Sequence, residues 1–191
     1  MSDFKIKYGN LIQETSDFIV NASNTELILG SGVSKAFRQH CGGSFFQQRL
    51  YELKAQYIQK FGRIHQGDVV VSDSGTAKNF KYSLHVAIMD YTNNTQSPYP
   101  TYKHIDKALK NILYTVDEVS IKENIKKPKI TIPLLGTGTG GLKKEKVYLI
   151  IKKLLCKSVY DVEVIIYFYT KKDFLKYYWI ENARGYLRKK Q

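Results

Sequence analysis

Two kinds of hydrophobic pattern alternate along the chain. Short runs of β-branched and aromatic residues predict strands, and longer segments with apolar residues every three or four positions predict helices. The predicted strands are residues 4–8, 18–22, 67–72, 82–89, 129–135 and 162–169. The predicted helices are residues 34–40, 45–61, 102–119, 143–156 and 173–187.

The order of these segments predicts the fold class. Strands that alternate with helices favour a three-layer α/β/α fold, in which helices cover both faces of a mixed, mostly parallel central sheet. Residues 67–72 and 82–89 are joined too briefly for a helical crossover, so we expect this pair to be antiparallel. Nothing in the sequence resembles a linker or a repeat, and we expect one domain over residues 1–191.

Two glycine-bearing loops each follow a predicted strand and precede a predicted helix. They comprise residues 21–33 and residues 136–141, and the second holds four glycines in six residues. Open α/β sheets bind ligands at the carboxyl ends of their strands, where helix N-termini present free N–H groups. Because glycine lets the backbone approach a ligand closely, we expect both loops to contact an anion.

The second loop resembles two common phosphate-binding motifs but satisfies neither. In a P-loop, Gly141 would be followed by lysine and a hydroxyl residue, whereas the chain has Leu142 there and Lys144 further on. Gly136, Gly138 and Gly141 match the dinucleotide motif GxGxxG. That motif also needs an acidic residue at the end of the next strand, and Asp161 falls at its start. We therefore expect neither a nucleotide triphosphatase nor a dinucleotide-binding protein.

Residues 19–42 read IVNASNTELILGSGVSKAFRQHCG, and residues 133–141 read PLLGTGTGG. The first segment resembles the macrodomain signature IVNAANxxLxxGGGVxxAIxxxAG, and the second resembles the family's phosphate loop PAxSTGxYG. The order, spacing and strand context agree over nearly the whole chain. The resemblance implies a cleft for ADP-ribose, held as a ligand with no separate cofactor, and implies that ADP-ribosylated macromolecules are the partners.

The resemblance also implies a role for individual residues. Backbone N–H groups of the two loops would face the two phosphates, Asn10 and Tyr169 would bind adenine, and Asn24 would contact the distal ribose and act as the catalytic residue. The alternative for Asn24 is a loop asparagine that bonds its own backbone. The implied ligand-binding residues are Asn10, Leu11, Ala22, Asn24, Gly30, Ser31, Gly32, Val33, Gly136, Thr137, Gly138, Thr139, Gly140 and Tyr169.

Catalysis is where the sequence departs from the family. Ser34 and Arg38 stand where MacroD-type hydrolases carry aspartate and histidine, and Gly140 replaces an aromatic residue. Serine is a poor general base. Some family members instead position a water between phosphate and ribose. The sequence thus leaves two alternatives, an ADP-ribosyl ester hydrolase (including O-acetyl-ADP-ribose deacetylase activity) and a non-catalytic ADP-ribose reader. We expect His40, His85 and Cys41 to serve packing.

Charge adds a third alternative. The chain has 30 lysine and arginine residues against 17 acidic ones, a formal net charge of +13, and such a field attracts phosphates. Nucleic acid is therefore a candidate partner, although solvated helix faces also explain the charge. Cys41 and Cys156 lie in no metal-ligand spacing, so no metal site is expected. The sequence shows no signal peptide or membrane span, and we expect a cytoplasmic protein.

Overall fold

The computed structural model describes residues 3–92 and 97–188, with side chains described within residues 4–92 and 97–182. The strands are β1 Asp3–Tyr8, β2 Ser16–Asn24, β3 Val69–Asp73, β4 Phe80–Met89, β5 Lys129–Pro133 and β6 Glu163–Phe168. The helices are α1 Gly32–His40, α2 Ser44–Phe61, α3 Tyr102–Glu123, α4 Lys144–Lys157 and α5 Lys171–Arg188. A short 3-10 turn, Leu11–Gln13, follows β1.

The six strands form one sheet in the order β1-β6-β5-β2-β4-β3. Every neighbouring pair is parallel except β3 and β4, which are antiparallel. The predicted fold class and its antiparallel exception are therefore confirmed. Strand β2 lies near the middle of the sheet, which explains why its residues are buried or half-buried along its whole length.

Successive residues of β2 supply two different hydrophobic clusters, because side chains of a strand alternate between faces. Phe18 and Val20 pack in the larger cluster, with residues of α3 and α4. Ile19 packs in the smaller one, with Phe37 of α1 and Leu50 of α2. The sheet is thus covered on both faces.

The two glycine loops open at the same edge of the sheet. Strands β2 and β5 are parallel neighbours, so the chain leaves both at their carboxyl ends. Residues 25–31 (the first glycine loop) lead into α1, and residues 134–143 (the second glycine loop) lead into α4. None of the helices described by the structure is long and apolar enough to cross a membrane.

Candidate functional site

The first glycine loop is held by the side chain of Asn24. Its Oδ1 atom accepts hydrogen bonds from the N–H groups of Glu26, at 3.1 Å, and Ile28, at 3.2 Å. Its Nδ2 atom donates to the carbonyl oxygen of Ile28, at 2.9 Å. The local alternative raised by the sequence therefore describes the contacts of Asn24 in this structure, and its ribose and catalytic roles stay predictions.

A second amide, on helix α2, braces the same loop. Gln47 Oε1 accepts from the N–H of Leu29 at 2.8 Å, and Gln47 Nε2 donates to the carbonyl of Leu27 at 2.9 Å. Both leucine side chains are fully buried. The sequence analysis missed Gln47. The signal available was an amide beside Phe46 and near Leu50, on the apolar stripe of α2.

The backbone after this loop presents N–H groups to solvent. Helix α1 begins at Gly32, and Ser31 precedes it as the N-cap residue. Within the part of the chain that the structure describes, the N–H groups of Ser31, Gly32 and Val33 have no hydrogen-bond acceptor. All three residues are exposed. Free N–H groups at a helix N-terminus carry partial positive charge, so this segment suits an anion.

Ser34 faces the protein interior rather than the cleft. Its hydroxyl lies 2.8 Å from the carbonyl oxygen of Ala22 and 3.1 Å from Oδ1 of Asn21, and donates to these two acceptors. The residue is only 8% exposed. The position that holds a carboxylate in MacroD-type hydrolases therefore supplies no acid or base to a ligand here.

A buried chain of hydrogen bonds continues from Asn21 to the edge of the sheet. Asn21 Nδ2 lies 3.1 Å from Nδ1 of His85, and His85 Nε2 lies 2.9 Å from the hydroxyl of Ser72. An amide nitrogen only donates, so Nδ1 accepts and the proton of the neutral ring sits on Nε2. Complete burial lowers the pKa of His85 to about 3. His85 is thus a neutral structural residue.

The second glycine loop is closed by its own backbone. Gly141 donates to the carbonyl of Gly138, and Leu142 donates to that of Gly136, both at 3.0 Å. The N–H of Thr137 donates to Leu134 at 3.3 Å, and the Thr137 hydroxyl donates to the same carbonyl at 2.8 Å. The Thr137 N–H therefore closes a turn in this structure, and its contact with phosphate stays a prediction.

Three backbone N–H groups of the second loop remain available. Those of Gly138, Thr139 and Gly140 have no acceptor among the described residues. Since the two loops follow neighbouring parallel strands, the two sets of donors lie at the same edge of the sheet. The cradle that these N–H groups would form around a diphosphate stays a prediction.

Glycines in the second loop also serve packing. A Cβ atom on Gly140 would lie 2.5 Å from the carbonyl oxygen of Gly136 and 2.9 Å from Cγ of Pro100. Gly136 has a φ of +73°, which favours glycine. The dense glycines therefore reflect a tight loop against Pro100 as well as access for a ligand.

The predicted adenine residues follow β1 and β6, at one end of the strand order. The N–H of Gly9 donates to the carbonyl of Phe168 at 3.0 Å, which brings the ends of β1 and β6 together. Asn10 is exposed and its Oδ1 accepts from the N–H of Ile12, at 3.3 Å. Tyr169 is 87% exposed. Both side chains are accessible to a ligand, and the neighbouring Leu11 is buried.

A buried carboxylate marks the opposite end. Asp90 follows β4 and is 2% exposed. It accepts from Thr25 Oγ1 at 2.9 Å, from Thr92 Oγ1 at 2.6 Å and from Arg63 at 2.8 Å. Burial opposes ionisation, but the hydrogen bonds from Thr92 and Thr25 and the Arg63 charge together lower the pKa of Asp90. Asp90 anchors Thr25, directly after Asn24, and the sequence analysis gave it no role.

The remaining candidates form no reactive centre. His40 Nε2 lies 2.9 Å from Asn79 Oδ1, and its ring stacks near Phe80. Cys41 is buried, and burial raises the pKa of its thiol to about 12. Among the described residues, no three histidine, cysteine or acidic side chains gather to hold a metal ion.

Known proteins share this arrangement of sheet and loops. The family model for the Macro domain matches residues 20–151. The macrodomain of Oceanobacillus iheyensis, as a mutant with ADPR, superposes with a TM-score of 0.74 at 18% identity, covering 97% of this chain and 94% of that chain. At that identity the likeness shows the fold alone. Since the family model matches more than half of the sequence, the chain belongs to the Macro domain family.

Two relatives extend the comparison. A Thermotoga maritima protein is 29% identical over 151 residues, which are 79% of this chain and 23% of that protein. The DNA ADP-ribosyl glycohydrolase of Thermus aquaticus is 24% identical over 160 residues, which are 83% of this chain and 39% of that protein. This chain therefore spans well under two thirds of the length of both relatives.

Proposed function

We propose that this protein binds ADP-ribose in the cleft between the two glycine loops. The observation that carries the proposal is the pair of donor sets at one sheet edge, Ser31 to Val33 on one side and Gly138 to Gly140 on the other. Neutral backbone donors of this kind bind phosphate without a metal or a paired cation. Membership of the Macro domain family supports the same ligand.

The sheet order gives the ligand a direction. With the diphosphate between the loops after β5 and β2, adenine would lie over β6 and β1, against Tyr169 and Asn10. The distal ribose would then lie over β2 and β4, near Asn24. Tyr169 offers its exposed ring for stacking, and the Asn10 amide offers uncharged hydrogen bonds to the adenine edge.

Calorimetric titration of ADP-ribose tests this proposal, with AMP and ADP as controls at two salt concentrations. We expect ADP-ribose to bind in the micromolar range and more tightly than ADP, because the distal ribose adds contacts. We expect a shallow salt dependence, since backbone donors release few counterions. Failure of all three ligands to bind would contradict the proposal.

A charge placed on the first donor set gives a sharper test. Gly32 begins α1 with a φ of +53°, and a Cβ there would meet nothing within 4 Å. In Gly32→Glu the carboxylate would stand beside the diphosphate and repel it, so we expect ADP-ribose binding to be lost. Gly32→Ala carries the same backbone strain without the charge and should retain measurable affinity. Equal affinities of the two variants would contradict the assignment of this loop.

A second function is hydrolytic removal of ADP-ribosyl groups, which the similarity to the Thermus glycohydrolase favours in general terms, and for this chain we propose an ester as the substrate. Water would attack the ester carbonyl, the bond between the carbonyl carbon and the ribose oxygen would break, and that oxygen would take up a proton from the water, giving a carboxylic acid and a free ribose hydroxyl. The proposed step uses water and no cofactor. The loop N–H groups would orient the water through the diphosphate, since Ser34 faces inward and supplies no base.

The variant Asn24→Ala separates catalysis from binding. If Asn24 orients the reacting ribose, kcat for an ADP-ribosylated peptide ester or for O-acetyl-ADP-ribose should fall far more than the affinity for ADP-ribose. If Asn24 only braces its loop, the affinity for ADP-ribose should fall and kcat should fall by a similar factor. If the parent protein binds ADP-ribose but shows no turnover, the non-catalytic ADP-ribose reader remains as the function.

Nucleic-acid binding through overall charge is the third alternative. It predicts affinity for unmodified single-stranded DNA or RNA that falls steeply with salt. Titration of the nucleic acid at the same two salt concentrations distinguishes this alternative from ADP-ribose recognition, whose salt dependence we expect to be shallow.

A further inference from the structure

The first turn of helix α5 lies next to two parts of the proposed ADP-ribose site. Helix α5 begins at Lys171, directly after Thr170 and two residues after Tyr169. Strands β5 and β6 are parallel neighbours, so the segment that follows β6 lies beside the second glycine loop, which follows β5. The first turn of α5 therefore stands close to the segment proposed to bind adenine and to the loop proposed to bind the diphosphate.

Asp173, in this first turn, joins the two neighbouring segments. Its carboxylate accepts hydrogen bonds from Nζ of Lys144 at 2.8 Å and from Oγ1 of Thr170 at 2.6 Å. Lys144 is the first residue of α4, directly after the second glycine loop. Thr170 Oγ1 also accepts from the N–H of Asp173 at 3.1 Å, as a helix N-cap residue does. One carboxylate thus links the end of the second glycine loop to the residue after Tyr169.

The next residue of α5, Phe174, contacts the other segment proposed to bind adenine. Its ring centroid lies 5.1 Å from that of Tyr8, the last residue of β1. Its N–H donates to the carbonyl oxygen of Thr170 at 3.1 Å. Asn10 follows Tyr8 by two residues. The same helical turn therefore contacts the chain beside both Asn10 and Tyr169, the residues proposed to bind adenine.

The pair of Lys144 with Asp173 is charged and partly exposed. The hydrogen bonds from Lys144 and Thr170 outweigh burial and lower the pKa of Asp173, so the carboxylate is ionised at neutral pH. The side chains of Lys144 and Asp173 are 43% and 24% exposed. Ion pairs with such exposure contribute little to overall stability. We therefore expect the chain to fold without this pair, which makes its effect on the site measurable.

We propose that Asp173, through its pair with Lys144, is a positioning residue that holds the adenine segment and the second glycine loop at the spacing of one ADP-ribose. The inference rests on the proposed function, which supplies the two binding regions. A ligand that bridges two regions binds more tightly when their separation is fixed in advance at its own length. With the pair broken, both regions would remain, but ordering them would oppose binding.

Calorimetric titration of ADP-ribose into three variants tests this link. Lys144→Met should weaken binding by about fivefold, the upper end for a partly exposed ion pair. Asp173→Ala should weaken it by about tenfold, because the bond to Thr170 is lost as well. The double variant should bind no more weakly than Asp173→Ala, since both substitutions break one interaction. Full additivity of the two effects would overturn the proposal.

Lys143→Met is the matched control for the loss of positive charge. Lys143 is the exposed neighbour of Lys144, and its N–H would keep its bond to the Tyr102 hydroxyl. Because an exposed charge is screened by salt, this variant should change ADP-ribose affinity by less than about twofold. A loss equal to that of Lys144→Met would show that charge near the diphosphate sets the affinity, and would overturn the proposal.

A thermodynamic cycle with Tyr169→Ala tests whether the link acts through the adenine segment. In the parent protein this substitution should weaken ADP-ribose, because the proposed stacking surface is lost. In the Lys144→Met background it should cost less, since the adenine segment is no longer held in place. A merely structural role of Lys144 would lower the unfolding midpoint and leave the cost of Tyr169→Ala unchanged, which would contradict the proposal.

Hydrogen exchange tests the link without any ligand. Lys144→Met should speed amide exchange in a peptide spanning residues 169–174, although the substitution lies on α4. Lys143→Met should leave that exchange unchanged. Equal exchange in the parent protein and in Lys144→Met would overturn the positioning role even if ADP-ribose binds. If the parent protein does not bind ADP-ribose, the proposed function fails, and the exchange result still decides whether the link holds the segment.

Discussion

The two glycine loops present similar donors, yet different parts of the chain hold them in place. The first is braced by side chains, with the amides of Asn24 and Gln47 taking up its backbone groups. The second is closed by its own turns, Gly140 lies too close to a backbone oxygen to carry a side chain, and Gly136 has a φ of +73° that favours glycine. One loop therefore depends on polar groups elsewhere in the fold, and the other depends on the lack of side chains within it.

This difference predicts where substitutions do harm. The first loop should be sensitive to changes of buried amides and of the polar chain beneath α1, including positions far along the sequence. The second should be sensitive at its glycines and nearly indifferent to distant polar groups. The following experiments test that division in order of decreasing expected effect.

The largest effect is expected from Gly140→Ala. The new methyl group would lie 2.5 Å from a backbone oxygen, so the loop must move. We expect a loss of roughly 3 kcal/mol in the free energy of unfolding, typical of overpacking at a rigid site. The matched control is Gly138→Ala in the same loop, where a Cβ meets nothing within 4 Å. Equal denaturation midpoints for the two variants would contradict the packing role of Gly140.

The polar chain beneath the first loop should make stability depend on pH. The pKa of His85 is about 3 in the folded protein against 6.5 ordinarily, so between these values the unfolded chain binds a proton that the folded chain does not. The free energy of unfolding should therefore fall as pH drops from 6.5 toward 3, by about 1.4 kcal/mol per pH unit for this group.

Urea unfolding at several pH values measures that slope. His85→Gln should reduce it by about one proton, because the titrating ring is gone. His65→Gln is the control, since His65 is an exposed histidine. The idea fails if the parent and His85→Gln show the same slope between pH 6 and 4.

Gln47→Leu should have a smaller but clear effect. It leaves the carbonyl of Leu27 and the N–H of Leu29 buried without partners, which typically costs about 1–3 kcal/mol. Thermal unfolding should show the loss, and ADP-ribose affinity should fall with it as the loop loosens. Gln48→Leu, at the exposed neighbour, should change little. Comparable losses in both variants would remove the bracing role of Gln47.

The smallest effect is expected from Thr137→Val. It removes one hydroxyl bond to the carbonyl of Leu134, while the backbone N–H keeps its bond to the same atom. The loss should be about 1 kcal/mol or less, since a typical hydrogen bond contributes that much net. A drop as large as that of Gly140→Ala would show that side chains brace the second loop as well.

The architecture could be predicted because hydrophobic periodicity reports it directly. The alternation of strands with helices and the short connection between β3 and β4 were enough to expect a mostly parallel sheet with one antiparallel pair. Helix α1 begins at Gly32, two residues before the predicted start. The apolar pattern alone does not reveal the first turn of a helix when the residues of that turn are exposed.

Part of the site could not be predicted because its contacts are long-range. The loops are supported by residues that are distant from them in the sequence, and no local pattern marks these residues. They are Gln47, Asp90 and Pro100. Motif spacing also says which residues lie in a loop and not which N–H groups the loop's own turns use, as the turn closed by the Thr137 N–H illustrates. Accounting for every backbone donor requires the fold.

The burial of Cys41 has a practical consequence for studying the protein in solution. Its thiol is held neutral within the core, whereas Cys156, the second of the two cysteines, is exposed on α4. A maleimide reagent should therefore modify Cys156 selectively without mutation of either residue. A fluorophore attached there would follow the molecule's rotation and, through it, the association of large ligands.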